Sequence, residues 1–201
     1  MEREEIIYIV YTLLFLVLVG SILATPILAE SQDMESVYNA FGHTCHQKLS
    51  RSLCIFNDGE GRWIEDCVPQ TGEYIKGLAD SRATEVTRDG ATGYKMPVCA
   101  RDIGLYAAML FGAAVYPLVR ELKDKRMLPA IYLVLGILPL ALDGGLQLGT
   151  ILLKAFEVID FTYESTNAIR FATGIIAGFA SSFYAIPVLM NMFGKETPKS
   201  R

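Results

Sequence analysis

Across 201 residues the chain holds only two histidines, one tryptophan and four cysteines. Several common catalytic signatures are missing as well. It has no G-x-S-x-G nucleophile elbow, no H-E-x-x-H zinc helix and no Walker phosphate loop, which removes three familiar routes to hydrolysis and phosphoryl transfer. Basic residues number 18 against 22 acidic ones, for a formal net charge of -4. With no basic stripe interleaved with aromatics, nucleic acid is excluded as a partner. No internal repeat is visible, so the chain lacks the paired halves on which alternating-access transporters are built.

What the chain has in quantity is apolar surface, with 52% hydrophobic residues and a mean hydropathy of +0.33. The apolar residues fall into runs of membrane length, a span needing roughly 20 helical residues. The first run is Ile6 to Ala29. Ile27-Leu28-Ala29 imitates a signal-peptide cleavage site, but the leader through Glu5 is acidic where a signal needs a basic start, so a retained helix is expected. Further spans are expected at Ile103 to Val119, Leu128 to Leu153 (interrupted by Pro139 and Asp143-Gly144-Gly145) and about Ala168 to Phe193. Small residues recur at every fourth position: Gly104, Ala108 and Gly112; Gly145 and Gly149; Gly174, Gly178 and Ser182. Such stripes let helices approach closely in lipid.

The expected fold class is therefore an all-α integral membrane protein, a four-transmembrane-helix bundle with an extracytoplasmic cap inserted between membrane helices 1 and 2. Residues 1–29 form the first helix, 30–101 the cap, 102–193 a three-helix bundle and 194–201 a cytoplasmic tail. The cap is polar and too long for an unstructured loop. A helix is expected in the first part of Met34 to Leu53, and irregular chain with short strands from Cys54 to Tyr94, punctuated by turns at Gly59, Gly61, Gly72, Gly77, Gly90 and Gly93. Lys and Arg collect at 120–126 and in the tail, whereas 156–167 is acidic. By the positive-inside rule both termini lie in the cytoplasm and the cap lies outside a cell membrane.

Chemistry concentrates at Pro97 to Asp102, where a thiol, a guanidinium and a carboxylate meet at the mouth of a membrane helix. Charges at that depth are costly unless paired or bound. Cys99, Asp102 and Tyr106 share one helical face, as do Asp143 and Gln147. Asp143 and Arg170 are candidates to pair with one another. In the cap, His43-Thr44-Cys45-His46-Gln47 places Cys and His within a few residues. With Cys99 and Asp102 they offer the N, S and O donors that zinc accepts. The alternative at the same residues is a Cys45 to Cys99 disulfide. Cys54 and Cys67 flank a turn-rich stretch and are a candidate disulfide if the cap faces an oxidising exterior.

Four ordered stretches, CHQKLSRS, PVCARDIGLY, LPLALDGGLQLG and ESTNAIRFATG, span residues 45 to 174. They resemble a prokaryotic family of small predicted membrane proteins of unknown function with CHQ, PVCARC-x-G-x-Y, LDG-x-x-Q and EST-N-x-x-R-x-x-TG motifs. The first helix and the insertion between Arg51 and Met96 lie outside the likeness. The resemblance implies one shared site made of Cys45, His46, Gln47, Cys99, Arg101, Tyr106, Asp143, Gln147, Glu164, Ser165, Thr166 and Arg170. The family's second cysteine is Asp102 in this chain. A Cys-x-x-Cys pair that loses a sulfur has no resolving thiol, whereas a zinc site accepts a carboxylate oxygen in its place.

These readings converge on a metalloprotein, with zinc as cofactor on Cys45, His46, Cys99 and Asp102. It would act as a membrane hydrolase on a lipid or lipid-linked substrate near the outer leaflet. Asp143 and Glu164 are the candidate bases. Arg170 and Arg101 are candidates for an anionic head group, with Tyr106, Gln147, Ser165 and Thr166 as further substrate contacts. Four protein ligands would close the zinc, so His46 or Asp102 would have to be displaceable. One rival is a quinone-linked thiol oxidoreductase using Cys45 and Cys99. The other is a non-enzymatic transporter or accessory subunit of a membrane complex. The protein could also assemble as a homo-oligomer.

Overall fold

The computed structural model describes residues 2–68, 82–122 and 124–194. Four helices carry the apolar runs: α1 (Arg3–Leu28), α3 (Ala100–Val119), α4 (Ala130–Ala155) and α5 (Asn167–Phe193). Each is long and apolar enough to cross a bilayer, the shortest having 20 residues, about 30 Å at the helical rise. Leucine, isoleucine and valine side chains stay exposed along α1 and α4. In water such a surface would drive aggregation; in hydrocarbon it is the surface a spanning helix needs. The chain is a multi-pass membrane protein.

The expected spans agree with these helices to within a few residues at each end. α1 opens on a capping box between Glu2 and Glu5, and α5 on Thr166, whose side chain accepts from the Ile169 amide. Both devices satisfy amides that the first helical turn leaves open. The Glu4 carboxylate meets Lys125 Nζ at 3.0 Å, and Asn191 Nδ2 donates to the Lys125 carbonyl. The start of α1, the 120–126 connection and the end of α5 therefore gather at one end of the bundle.

α3 and α5 form the tightest pair. A Cβ on Gly174 would lie 2.2 Å from the Arg101 carbonyl oxygen and one on Gly178 2.2 Å from that of Leu105, so only hydrogen fits between the backbones. The stripe on α4 is different, because a Cβ on Gly145 or Gly149 would meet nothing within 4 Å. The expected tight packing through those two glycines is not made; α4 instead seats Gly136 against Ala180 of α5. An apolar core of Tyr11, Phe15, Ala113, Tyr116, Ile186 and Met190 fastens α1 to α3 and α5.

The region between α1 and α3 carries the helix and the short strands expected of it, with more order than the expected irregular chain. Among the described residues its helix is α2 (Glu35–Gly42) and a 3-10 turn at Leu49–Arg51. The strands join in one antiparallel sheet of β1 (Leu53–Asn57), β2 (Arg62–Asp66), β3 (Glu85–Arg88) and β4 (Ala91–Lys95), in the order β2-β1-β4-β3. β1 and β4 alternate buried and half-buried residues, the period of a strand with one covered face. That face carries Cys54, Phe56 and Ala91 onto Leu49, Cys67 and Val68. Opposite Phe56 the register places Gly93, where a Cβ would fall 2.5 Å from the Phe56 ring. Cys54 and Cys67 form the expected disulfide. The turns expected at Gly72 and Gly77 and most of the expected tail, 195–201, lie outside the described residues.

Candidate functional site

The sheet and α3 are joined by three buried residues, Met96, Pro97 and Val98, so the end of β4 fixes where Cys99 and the mouth of α3 stand. Val98 and Met96 pack with Ile22 of α1 and Ile103 of α3. Cys99 is the N-cap of α3, its carbonyl accepting from the Ile103 amide. Asp102 follows one turn later and its Oδ2 lies 3.1 Å from Cys99 Sγ.

Cys45 arrives from the other side, on the turn that follows α2. Gln47 takes a positive φ of 53° there and is held from three directions. Its side chain donates to the Tyr38 carbonyl at 2.7 Å and the Pro97 carbonyl at 2.8 Å, and its own carbonyl accepts from Lys95 Nζ at 2.8 Å. Lys95 is wholly buried, and burial pulls its ammonium down to about 8. Gln47 and Lys95 thus pin the Cys45 turn to the β4–α3 junction. The Cys99 amide donates to Cys45 Sγ at 3.3 Å.

Cys45 Sγ, Cys99 Sγ and an Asp102 carboxylate oxygen all lie within 4.8 Å of one another, each residue half-buried. Tetrahedral zinc spaces two thiolate sulfurs by about 3.8 Å at its usual bond length, so small rotations would close the three donors on one ion. Both thiols are free. The neighbouring Cys99 side chain is the main reason that Cys45 is pulled down to about 7. That same contact, then burial and the Asp102 charge, push the Cys99 thiol up. One sulfur is therefore ready to ionise near neutrality while the other keeps its proton until something replaces it. His46 is exposed and stands outside the cluster, so three of the four expected ligands converge.

A second polar cluster sits alongside, between α3, α4 and α5. Asp143 is 6% exposed and pairs with Arg101 rather than with Arg170 as expected. Its other oxygen accepts from Tyr163 Oη at 3.0 Å. Ser165 Oγ lies against the Asp143 carboxylate, buried and without a hydrogen bond of full geometry. Arg170 is 2% exposed and donates to Asn167 Oδ1 at 3.2 Å and to the half-exposed Glu164 at 3.4 Å. Gln147, with its amide turned to accept, receives Arg170 at 3.2 Å and Arg51 at 2.9 Å. Two further expected contacts also have structural work: Thr166 caps α5, and the Tyr106 ring packs near Phe15.

Arg51, Tyr163 and Asn167 belong to this cluster without having been singled out in the sequence. Arg51 had one signal, since it lies in the CHQKLSRS stretch. Asn167 bridges α5 to Asp66 of β2 at 2.9 Å, a contact that no spacing announces.

Residues 91–184 match a family model described as a predicted membrane protein (DUF2085). Over those residues the chain is similar to that family. A stretch of 104 residues is 39% identical to uncharacterized protein MJ1492 of Methanocaldococcus jannaschii, covering 52% of this chain and 60% of that protein. No solved structure matches. The part shared with the family holds Cys99, Asp102 and the whole second cluster except Arg51, while Cys45 lies before it. The place of Cys45 beside Cys99 therefore rests on the geometry above.

Proposed function

We propose that this protein is a membrane metalloenzyme in which Cys45, Cys99 and Asp102 hold zinc and leave its fourth position to water. The observation that carries the reading is the convergence of three donors, not four, within 4.8 Å. A zinc with four protein ligands is closed and structural, whereas three ligands and an open position belong to catalytic sites. With His46 outside, the difficulty of a closed site falls away. Two sulfurs and one oxygen select zinc over magnesium or calcium. Zinc in such a site lowers the pKa of bound water towards about 7 and polarises an ester carbonyl or phosphoryl oxygen.

The substrate is a lipid or lipid-linked ester, because the donors stand at the mouth of α3 where acyl chains and head groups meet. Asp143 is already engaged by Arg101 and Tyr163, so Glu164, which meets Arg51 and Arg170 only at 3.7 and 3.4 Å and has a 36% exposed side chain, is the carboxylate in exchange with water. The site faces outward. The Cys54–Cys67 disulfide supports an oxidising side for the sheet, and the basic 120–126 connection supports a cytoplasmic position for the other end. The test is zinc content after purification without added chelator. About one zinc per chain is expected, kept in His46→Ala and lost in Cys45→Ser and Cys99→Ser; protein that carries no metal overturns the reading.

A second reading has one observation in its favour. The paired thiols, one pulled down and one pushed up, have the asymmetry of an attacking and a resolving cysteine. Two thiols would pass two electrons and two protons to a quinone and form a disulfide. Labelling of Cys45 and Cys99 before and after reduction separates the readings: the metalloenzyme keeps both reduced in air, and a cycling pair does not.

A further inference from the structure

We infer that Arg51, Arg101 and Arg170 form an anion site for a phosphate group, presented beside the thiol-carboxylate cluster. The inference deepens the reading above by naming the head group, and it stands on different atoms.

Three arginines reach this place from three segments: the 3-10 turn before β1, the first turn of α3 and the first turn of α5. Among the described residues their ion-pair partners are two carboxylates, Asp143 for Arg101 and Glu164 for both Arg51 and Arg170. Glu164 is far from an ideal partner for either arginine. It is 3.7 Å from Arg51 Nε and 3.4 Å from Arg170, long for charge-assisted bonds, which close to about 2.7–2.9 Å when well made. Arg51 Nε and Arg101 Nε are buried with no hydrogen-bond acceptor, and Ser165 Oγ is buried without a bond of full geometry.

Buried guanidinium N–H groups left open are expensive, and native interiors rarely keep them without a reason. Here two guanidinium N–H groups open among the described residues, and a hydroxyl held only loosely against Asp143, occur in one cluster of a membrane protein. The Arg51 and Arg101 side chains are 30% and 22% exposed although their Nε atoms are buried, so a ligand would meet these donors by a turn of the guanidinium groups. A planar fork suits a carboxylate or a phosphate. Forks arriving from three directions suit a tetrahedral oxyanion with several oxygens better than a flat carboxylate. Phosphate carried on a lipid and phosphate free in solution share that chemistry.

The experiment uses the full chain in detergent micelles and measures equilibrium binding of phosphatidic acid, of inorganic phosphate, and of phosphatidylcholine as control. Phosphatidic acid is expected to bind at least about tenfold more tightly than phosphatidylcholine, and Arg51→Gln to remove about tenfold, the scale of one charge-assisted contact. Binding of phosphatidic acid without inorganic phosphate assigns the lipid as the source. Binding of inorganic phosphate, with or without the lipid, assigns the free ion or the bare phosphate group. Arg51→Lys, which keeps the charge and loses the fork, should fall between wild type and Arg51→Gln. Ser165→Ala gives a second variant should Arg51→Gln fail to fold, and a loss of phosphate binding is expected there too. Phosphate species that bind no better than phosphatidylcholine, or binding indifferent to these folded variants, overturn the proposal. Zinc content is read on the same samples. Metal kept with no phosphate bound defeats this inference alone, and phosphate bound with no metal defeats the zinc reading alone.

Discussion

Removing the charge from Asp143 tests whether the second cluster is the ion-pair network described. Asp143 is 5% exposed at its side chain and Arg101 22%, so the two partners are not equally protected from water. In Asp143→Asn the arginine loses its carboxylate but keeps some access to solvent, and the new amide oxygen can still accept from Tyr163. Breaking a buried pair costs about 3–5 kcal/mol; discounted for the exposure of Arg101, about 2–3 kcal/mol is expected. Arg101→Met leaves the more deeply buried carboxylate alone and should reach the full 3–5 kcal/mol or so. The double variant should be less destabilised than the sum of the single ones by about 2 kcal/mol, as contacting residues couple on that scale. The assay is reversible unfolding in micelles for the four members of the cycle. Additivity within about 0.5 kcal/mol, or Asp143→Asn costing more than Arg101→Met, would refute the pairing and its depth.

Metal-free protein should show a Cys45 that alkylates with a midpoint near pH 7, and Cys99→Ala, which removes the neighbouring thiol, should move that midpoint upward. Because the Cys45 pKa falls on folding, its ionisation stabilises the fold at pH values above its unfolded value of 9, and this contribution is lost as pH drops through about 7. Thermal unfolding of apo protein across that window checks the sign. Lys95→Met should cost about 2–3 kcal/mol by leaving the Gln47 and Arg82 carbonyls without their donor, and should weaken zinc binding through the Cys45 turn, read by metal content. Gly178→Leu should prevent the α3–α5 approach and lower folded yield, whereas Gly145→Leu, facing open space, should leave it unchanged. Replacing both Cys54 and Cys67 by Ala opens a loop of 13 residues' separation and should cost about 3 kcal/mol without releasing zinc.

The four spans were legible because a membrane helix must be apolar throughout, and length and hydropathy together define it. The Cys54–Cys67 bond was legible from its turn-rich loop. Local pattern failed where contacts are distant. Short strands are expected from the sequence of this region but their union in one sheet is not, because β2 is almost wholly exposed and has no alternation to show. Asp143 was paired with Arg170 on the strength of depth alone; the first turn of α3 instead sends Arg101 past Gly144. His46 shared a motif with Cys45, but neighbours in sequence point apart when the turn between α2 and the 3-10 segment is pinned by Gln47. Asp102 was the most informative single residue, and its carboxylate does stand with Cys45 and Cys99.

The central claim, a three-ligand centre with one open position, is tested most directly by loading apo protein with Co²⁺ and recording its absorption spectrum. The account predicts one equivalent bound with thiolate-to-cobalt charge-transfer bands and tetrahedral d–d bands. Those bands should persist in His46→Ala, shift on addition of a small anion to the open position, and vanish in the Cys45→Ser/Cys99→Ser double variant. A spectrum without thiolate charge transfer, or one that disappears in His46→Ala, would contradict it.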